Sequence, residues 1–133
     1  MATWTDRSSR YETSSTSRLP ASVATTTGRG NPALAMMWFV ADEGWLWFHT
    51  PVPDGRPSPF LTAARDYREV AVMVATFDPP DDVRQVRMTG PARLEVKDVA
   101  RIRRVYERYI PAWSTDWADH AAAPGARPVV HVP

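Results

Sequence analysis

The feature that most constrains this chain is a pair of short apolar runs joined by a tight turn. Residues 33–41 read ALAMMWFVA and residues 45–50 read WLWFHT, with Asp42-Glu43-Gly44 between them. Runs of strand length, rich in aromatic residues and separated by a glycine-containing turn, predict a β-hairpin. Exposed edges on strands this apolar would favour aggregation, so we expect the hairpin to be part of a closed sheet.

Further strands are predicted on both sides of this hairpin. Residues 22–27 are β-branched and half polar and lead into the turn sequence GRGNP, whereas residues 70–77 (VAVMVATF) are apolar on both faces at their start, as in a central strand. Residues 83–96 predict a long strand, and residues 129–132 a short last one. Gly90-Pro91 interrupts the long strand, and because proline cannot donate to a ladder, the pair predicts a bulge or bend.

Two helices are predicted among the strands. Residues 60–67 form a plausible short helix, and a longer one follows Asp98, a suitable N-cap, and stops at Pro111. The apolar face of the longer helix has helical spacing: Val99, Ile102, Val105, Tyr106 and Tyr109. Its remaining face carries arginines: Arg101, Arg104 and Arg108. Together the elements predict a mainly β fold, a barrel of about six antiparallel strands with one short and one longer helix appended.

Composition sets limits on organisation and partners. A chain of 133 residues favours one domain. Residues 1–19 are rich in serine and threonine and predict a flexible arm, which leaves residues 20–133 as the single domain. The net charge of +1 argues against nucleic-acid binding, and the longest apolar run is too short to span a membrane. Since no secretory signal precedes the domain, we expect a cytoplasmic protein.

Most catalytic constellations are missing from the sequence. There is no cysteine, no nucleophile elbow and no glycine-rich phosphate loop, and His49, His120 and His131 lack metal-ligand spacing, so we expect no metal site. Six tryptophans are more than a core of this size requires, and methionines accompany them on the predicted strands. Those that face outward need cover, either from a second subunit or from a flat aromatic ligand.

The order of these features carries a resemblance to a known family. The turn GRGNP, the strand ALAMMWFV, an aromatic strand ending in His49-Thr50, a small helix, the segment RQVRMTGPARL and a helix before Trp113 follow one another. In this order, over residues 19–113, the chain resembles the FMN-binding split-barrel proteins related to pyridoxamine 5'-phosphate oxidase. The resemblance implies a homodimeric split barrel with FMN bound at the subunit interface.

The resemblance also implies positions for the cofactor. The strand along the flavin would contribute Met36, Met37, Trp38 and Phe39. His49 and Thr50 would lie near the ribityl chain and phosphate, Gln85 near the ring, and Trp113 would approach from the partner subunit.

The chain departs from the family at the residues that bind charge. Ala35 and Val40 stand where the oxidases carry arginine and lysine, and the basic pair that binds the phosphate is replaced by Pro-Ser-Pro at residues 57–59. Arg56 or Arg87 would then be left to hold the phosphate, because a dianion needs charge-assisted donors.

Two functions follow as hypotheses. The first is a flavin- or deazaflavin-dependent oxidoreductase that transfers a hydride to or from a small organic substrate stacked near Trp38 and Trp47, with no catalytic residue assigned. The alternative is a split-barrel protein without a cofactor that binds a small hydrophobic ligand or acts as an accessory partner. A nucleic-acid-binding barrel would rest on the arginines of the late helix alone, and we expect no such binding. In each case we expect a homodimer with no membrane partner.

Overall fold

The computed structural model describes residues 18–51, 55–110 and 125–131, and the side chains of residues 51 and 125–131 are not described. The predicted arm therefore lies outside the described residues, apart from its last two positions. The elements in chain order are β1 Ala21–Thr26, β2 Pro32–Met37, β3 Phe39–Asp42, β4 Trp45–Phe48, β5 Thr50–Pro51, α1 Pro59–Arg65, β6 Glu69–Asp78, β7 Asp82–Glu95, α2 Val99–Tyr109 and β8 Gly125–His131.

The strands form one antiparallel sheet whose order explains the barrel. Its order is β2-β1-β6-β7-β8-β4-β3, with β5 pairing β8. The two end strands, β2 and β3, are consecutive in the chain and are separated only by Trp38. The sheet must therefore curve round until its ends meet at that residue, which gives a barrel with a seam between β2 and β3. The predicted mainly β fold with antiparallel strands and two helices is confirmed, with eight strands in the described part of the chain rather than six.

Trp38 corrects one strand prediction. Residues 33–41 were expected to form a single strand, but β2 ends at Met37 and β3 begins at Phe39. The run changes pairing partner here, from β1 through Ala21↔Met37 to β4 through Phe39↔Phe48. An apolar run shows where strands lie but does not show where one strand passes to another partner.

The predicted hairpin between β3 and β4 is confirmed, with a tighter turn than expected. Asp42 pairs with Trp45, so the loop consists of Glu43 and Gly44 only. Both residues have positive φ, 52° and 78°, as a type I′ turn requires. This geometry matches the twist of the flanking strands and fixes their register.

The long strand β7 corrects the predicted interruption at Gly90-Pro91. The pairing with β6 is regular from Asp78↔Asp82 to Glu69↔Pro91, without a bulge. The Ala92 N–H donates to the Arg68 carbonyl at 2.9 Å. Because hydrogen bonding alternates along an antiparallel pair, the nitrogen of Pro91 faces away from β6, and no bond of the β6–β7 ladder is lost. From Ala92 onward β7 pairs with β8 instead.

The main core lies inside the barrel, and α1 closes one side of it. Alternate residues of the strands point inward, as in β6, where Val70, Val72 and Val74 are buried. Phe60 of α1 packs against Phe48 with ring centroids 5.5 Å apart. The short helix was predicted over residues 60–67 and is confirmed with slightly earlier bounds.

The longer helix α2 packs on the outside of the β3–β4 hairpin. Asp98 caps it as predicted, because its Oδ1 accepts hydrogen bonds from the N–H groups of Ala100 at 3.0 Å and Arg101 at 3.3 Å. Ile102 and Tyr106 form a second buried cluster with the half-buried Trp38. Neither helix in the described part of the chain has the length and apolar character needed to cross a membrane.

Candidate functional site

A cleft beside the start of α1 is the first candidate site. It has a volume of about 180 Å³ and lies between β1, β2 and the residues that lead into the helix. We call it the α1 cleft. Its walls are small or apolar side chains with hydroxyl groups among them, and they include Val23, Thr25, Ala35, Met37, Thr50 and Ser58.

Thr25 is the residue of the α1 cleft with the clearest unmet requirement. Its Oγ1 is buried and has no hydrogen-bond partner among the described residues. Leaving a buried hydroxyl without a partner costs about 1–3 kcal/mol. Since Thr25 belongs to the wall of the cleft, a polar group bound there is a natural partner for it.

The solvent-facing side of β2, β1, β6 and β7 is the second feature, and we call it the outer face. Cross-strand pairing places Met36, Ser22, Met73 and Arg87 in one row across it. Large apolar side chains on this face are open to solvent: Leu34 (74%), Met36 (68%), Phe77 (83%) and Val83 (58%). Leu34 and Met36 are neighbours on the outward side of β2, and exposed apolar residues grouped in this way are typical of an interaction site.

The outer face contains a second cleft, of about 490 Å³, which we call the outer cleft. Arg87, Met73 and Thr89 line it, and Leu34 lines both clefts. Gln85 lies on the same face, opposite Ala75. The two clefts therefore lie on opposite sides of β2, and the residues predicted to bind a cofactor are divided between them.

Trp38 lies on another side of the barrel, where the chain itself covers it. Its ring stacks on Tyr109 with centroids 5.0 Å apart and an interplanar angle of 9°, and it meets the Tyr106 ring edge-on at 5.7 Å. The Tyr109 hydroxyl accepts a hydrogen bond from the Phe39 N–H at 3.2 Å and donates to the Leu19 carbonyl at 3.1 Å. Trp38 thus anchors α2 to the barrel.

Trp47 is covered in a similar way, by the arginines of α2. The Arg101 guanidinium lies 3.4 Å from the centre of the Trp47 ring, and the Trp47 Nε1–H donates to the Asp42 carbonyl at 3.1 Å. Arg104 makes an ion pair with the Asp42 carboxylate at 2.6 Å. Trp47 is only 8% exposed and Arg101 covers its ring, so Trp47 offers no open ring face to the substrate expected near Trp38 and Trp47. The arginine face of α2 packs against the hairpin.

The two tyrosines of α2, Tyr106 and Tyr109, are shielded from water between the helix and the barrel. Burial raises the pKa of Tyr106 to about 12, and burial also raises the pKa of Tyr109. His49 is buried too and meets the Tyr106 ring edge-on at 5.8 Å. These groups belong to the packing between α2 and the barrel.

The structure separates the ten residues that the sequence predicted for the cofactor. Met36, Met37 and Thr50 line the α1 cleft, and Arg87 lines the outer cleft, with Gln85 on the same outer face. Arg56 is exposed, two residues before Ser58. Three others are turned away from both clefts, since Phe39 lies in the barrel core and Trp38 and His49 lie under α2. Trp113 lies outside the described residues.

Sequence reasoning missed Thr25 as a candidate. The inward-facing positions of β1 are Ala21, Val23 and Thr25, and the first two are buried core residues. A hydroxyl at the third inward position of an otherwise apolar alternation is the signal that was available. Ser58 was noted only as part of a loop, although it lines the α1 cleft and caps the helix.

Comparison with known proteins gives structural neighbours only. No protein-family model and no curated protein sequence matches the chain. A conserved hypothetical protein, Rv2991 from Mycobacterium tuberculosis, is similar with a TM-score of 0.71 and 21% identity over 94% of this chain and 79% of that one. An F420 reductase is similar with a TM-score of 0.60 and 23% identity over 92% and 93% of the two chains.

A third neighbour is an FAD- and heme-binding protein from Mycobacterium smegmatis. Its TM-score is 0.66 and its identity 20%, over 99% of this chain and 68% of that one. At these identities the likeness concerns the fold. The chain has the split-barrel fold of these neighbours.

Proposed function

We propose that the protein is a split-barrel oxidoreductase that binds the ring of a flavin or deazaflavin in the α1 cleft. The observation that carries the proposal is the cleft itself, where apolar walls surround Thr25, whose buried hydroxyl lacks a partner. The neighbours add support, because one is named as an F420 reductase and another as an FAD- and heme-binding protein.

The residues of the α1 cleft fit an aromatic ring. Val23, Ala35 and Met37 provide apolar contact for its faces, and the hydroxyls of Thr25 and Thr50 are suited to its polar edge. When bound, such a ring supplies hydride transfer to or from a small organic substrate. The protein's own part is to orient the ring and to keep water from it.

A homodimer is part of the proposal. Pockets that enclose a small molecule have volumes of about 300–1,000 Å³, and the α1 cleft has about 180 Å³. One protomer therefore covers only part of a flavin. The exposed apolar outer face adjoins this cleft at Leu34, and a second copy packed there would complete the enclosure.

A second candidate function is favoured by one specific observation. None of the described residues that line the α1 cleft is charged. Such a cleft also suits a small hydrophobic ligand in a protein that uses no cofactor. The two functions differ in whether the protein binds flavins.

Equilibrium dialysis against FMN and riboflavin, followed by flavin absorbance, tests the proposal. We expect micromolar binding by the wild type and a loss of at least about tenfold in Ala35→Trp, whose side chain fills the cleft. Ala100→Trp is the matched control, because Ala100 is exposed on α2, and it should bind as the wild type does. Absence of binding to both flavins and to a deazaflavin would refute the oxidoreductase and leave the hydrophobic-ligand function.

A further inference from the structure

The structure assigns a selectivity to the α1 cleft: it recognises the uncharged ring of its ligand, and its described residues provide no subsite for a phosphate group. This inference rests on the proposed function, since it concerns the same cleft. It predicts that riboflavin, which has the flavin ring and the ribityl chain but no phosphate, binds as tightly as FMN.

The described lining of the α1 cleft carries no charged side chain. The polar side-chain groups there are hydroxyls, those of Thr25, Thr50 and Ser58. A phosphate dianion that leaves water needs charge-assisted hydrogen bonds in exchange, and neutral hydroxyls give roughly half their strength. The desolvation of a phosphate in this cleft is therefore not offset by hydrogen bonds from the described side chains.

The N-terminus of α1, beside the cleft, has few free N–H groups to offer an anion. Free N–H groups in a first helical turn can bind an anion, but here they are few. Pro59 has no N–H, the Leu61 N–H donates to the Ser58 Oγ at 3.2 Å, and the Thr62 N–H donates to the Ser58 carbonyl at 3.0 Å. The same Ser58 that lines the cleft thus uses donors that a phosphate would need.

The arginines near α1 in the chain are either paired with other groups or exposed to solvent. Arg65 lies 3.3 Å from the Asp66 carboxylate, and Arg68 donates to the carbonyl oxygens of Thr26 at 2.6 Å and Thr27 at 3.3 Å. Arg65 and Arg68 therefore each have a partner in the fold, and neither lines the α1 cleft, although Nε and Nη2 of Arg68 are buried without a hydrogen-bond partner among the described residues. Arg56 is exposed, and a guanidinium in solvent contributes little to an ion pair because water and salt screen it.

The test is a comparison of FMN and riboflavin affinities on the unmodified protein. Equilibrium dialysis should give dissociation constants that agree within about fivefold. Raising sodium chloride from about 0.05 M to about 0.5 M should change the FMN value less than about fivefold, because no phosphate contact is screened.

The results that overturn the inference differ from those that overturn the proposed function. FMN binding more than about fivefold tighter than riboflavin, or an FMN affinity that salt weakens beyond that factor, would reveal a phosphate subsite and leave the flavin function standing. Failure of both flavins and of a deazaflavin to bind would overturn the proposed function and this inference together.

Discussion

Large apolar side chains are covered on one side of the barrel and exposed to solvent on the other. On the side of α2, Trp38 and Trp47 are covered by tyrosines and arginines of the same chain. On the outer face, Leu34 and Met36 remain open to solvent. Both sets looked alike in the sequence, as apolar residues in excess of what the core needs. The comparison shows that the apolar surface left open to solvent is the one built from leucine, methionine and phenylalanine, whereas Trp38 and Trp47 pack within the protomer.

The largest expected effect lies in the barrel core, which both sides share. Phe48 is almost fully buried between Phe39 and Phe60, so Phe48→Ala should lower the free energy of unfolding by about 3–5 kcal/mol. Met36→Ala on the outer face is the matched truncation and should change it by less than about 0.5 kcal/mol in the monomer. Urea unfolding at low protein concentration measures both. Equal losses would show that Met36 is packed in the protomer.

Substitutions on the outer face should weaken dimerisation and leave the folding of the protomer unchanged. Leu34→Glu places a charge on the proposed interface and should weaken dimerisation by at least about tenfold. Val99→Glu, at an exposed position on α2, should leave it unchanged. Analytical ultracentrifugation over a concentration series compares them, and a monomeric wild type would contradict the proposed dimer.

On the side of α2, the free energy of unfolding should depend on the hydroxyl group of Tyr109. Tyr109→Phe removes the oxygen that accepts from the Phe39 N–H and donates to the Leu19 carbonyl. The loss in unfolding free energy should be about 1–2 kcal/mol, since a partly buried N–H is left without a partner. Tyr67→Phe, on an exposed tyrosine, should have no effect. Thermal unfolding of both variants provides the measurement, and equal melting temperatures would show that the hydroxyl is not needed.

The free energy of unfolding should also depend on alkaline pH. The Tyr106 pKa is raised to about 12 in the folded state, above an unfolded value of 10.0. Folding therefore favours the neutral phenol, and its contribution to stability is complete below pH 10.0 and is lost as the pH rises through about 12. Tyr106→Phe should flatten the decline in unfolding free energy between these values. An unchanged slope would show that Tyr106 ionises as readily in the folded state as in the unfolded chain.

Much of the fold could be predicted because local patterns decide it. The Glu43-Gly44 turn, the Asp98 cap and the central position of β6 each depend on residues that are neighbours in the chain. The break at Trp38 could not be predicted, since it depends on which strand pairs with each half of the run.

Less of the candidate site could be predicted. Residue identity and spacing placed Met37 and Thr50 at a common site, and the structure brings them to one cleft. The same reasoning predicted that Trp47 lies near a ligand and assigned Arg101 only to the non-apolar face of its helix. In the structure, Arg101 covers the Trp47 ring. Periodicity says which residues share a face, but the element that packs on that face is set by tertiary structure.

The measurement that tests the central claim most directly uses the hydroxyl of Thr25. Thr25→Val keeps the shape of the side chain and removes a buried group that has no partner among the described residues. We predict flavin binding weaker by about three- to tenfold with no loss of unfolding free energy, because the hydroxyl serves the ligand and not the fold. Ala100→Val, at an exposed position of α2, is the control and should leave flavin affinity unchanged. Unchanged flavin affinity in Thr25→Val, with reduced stability, would contradict the account.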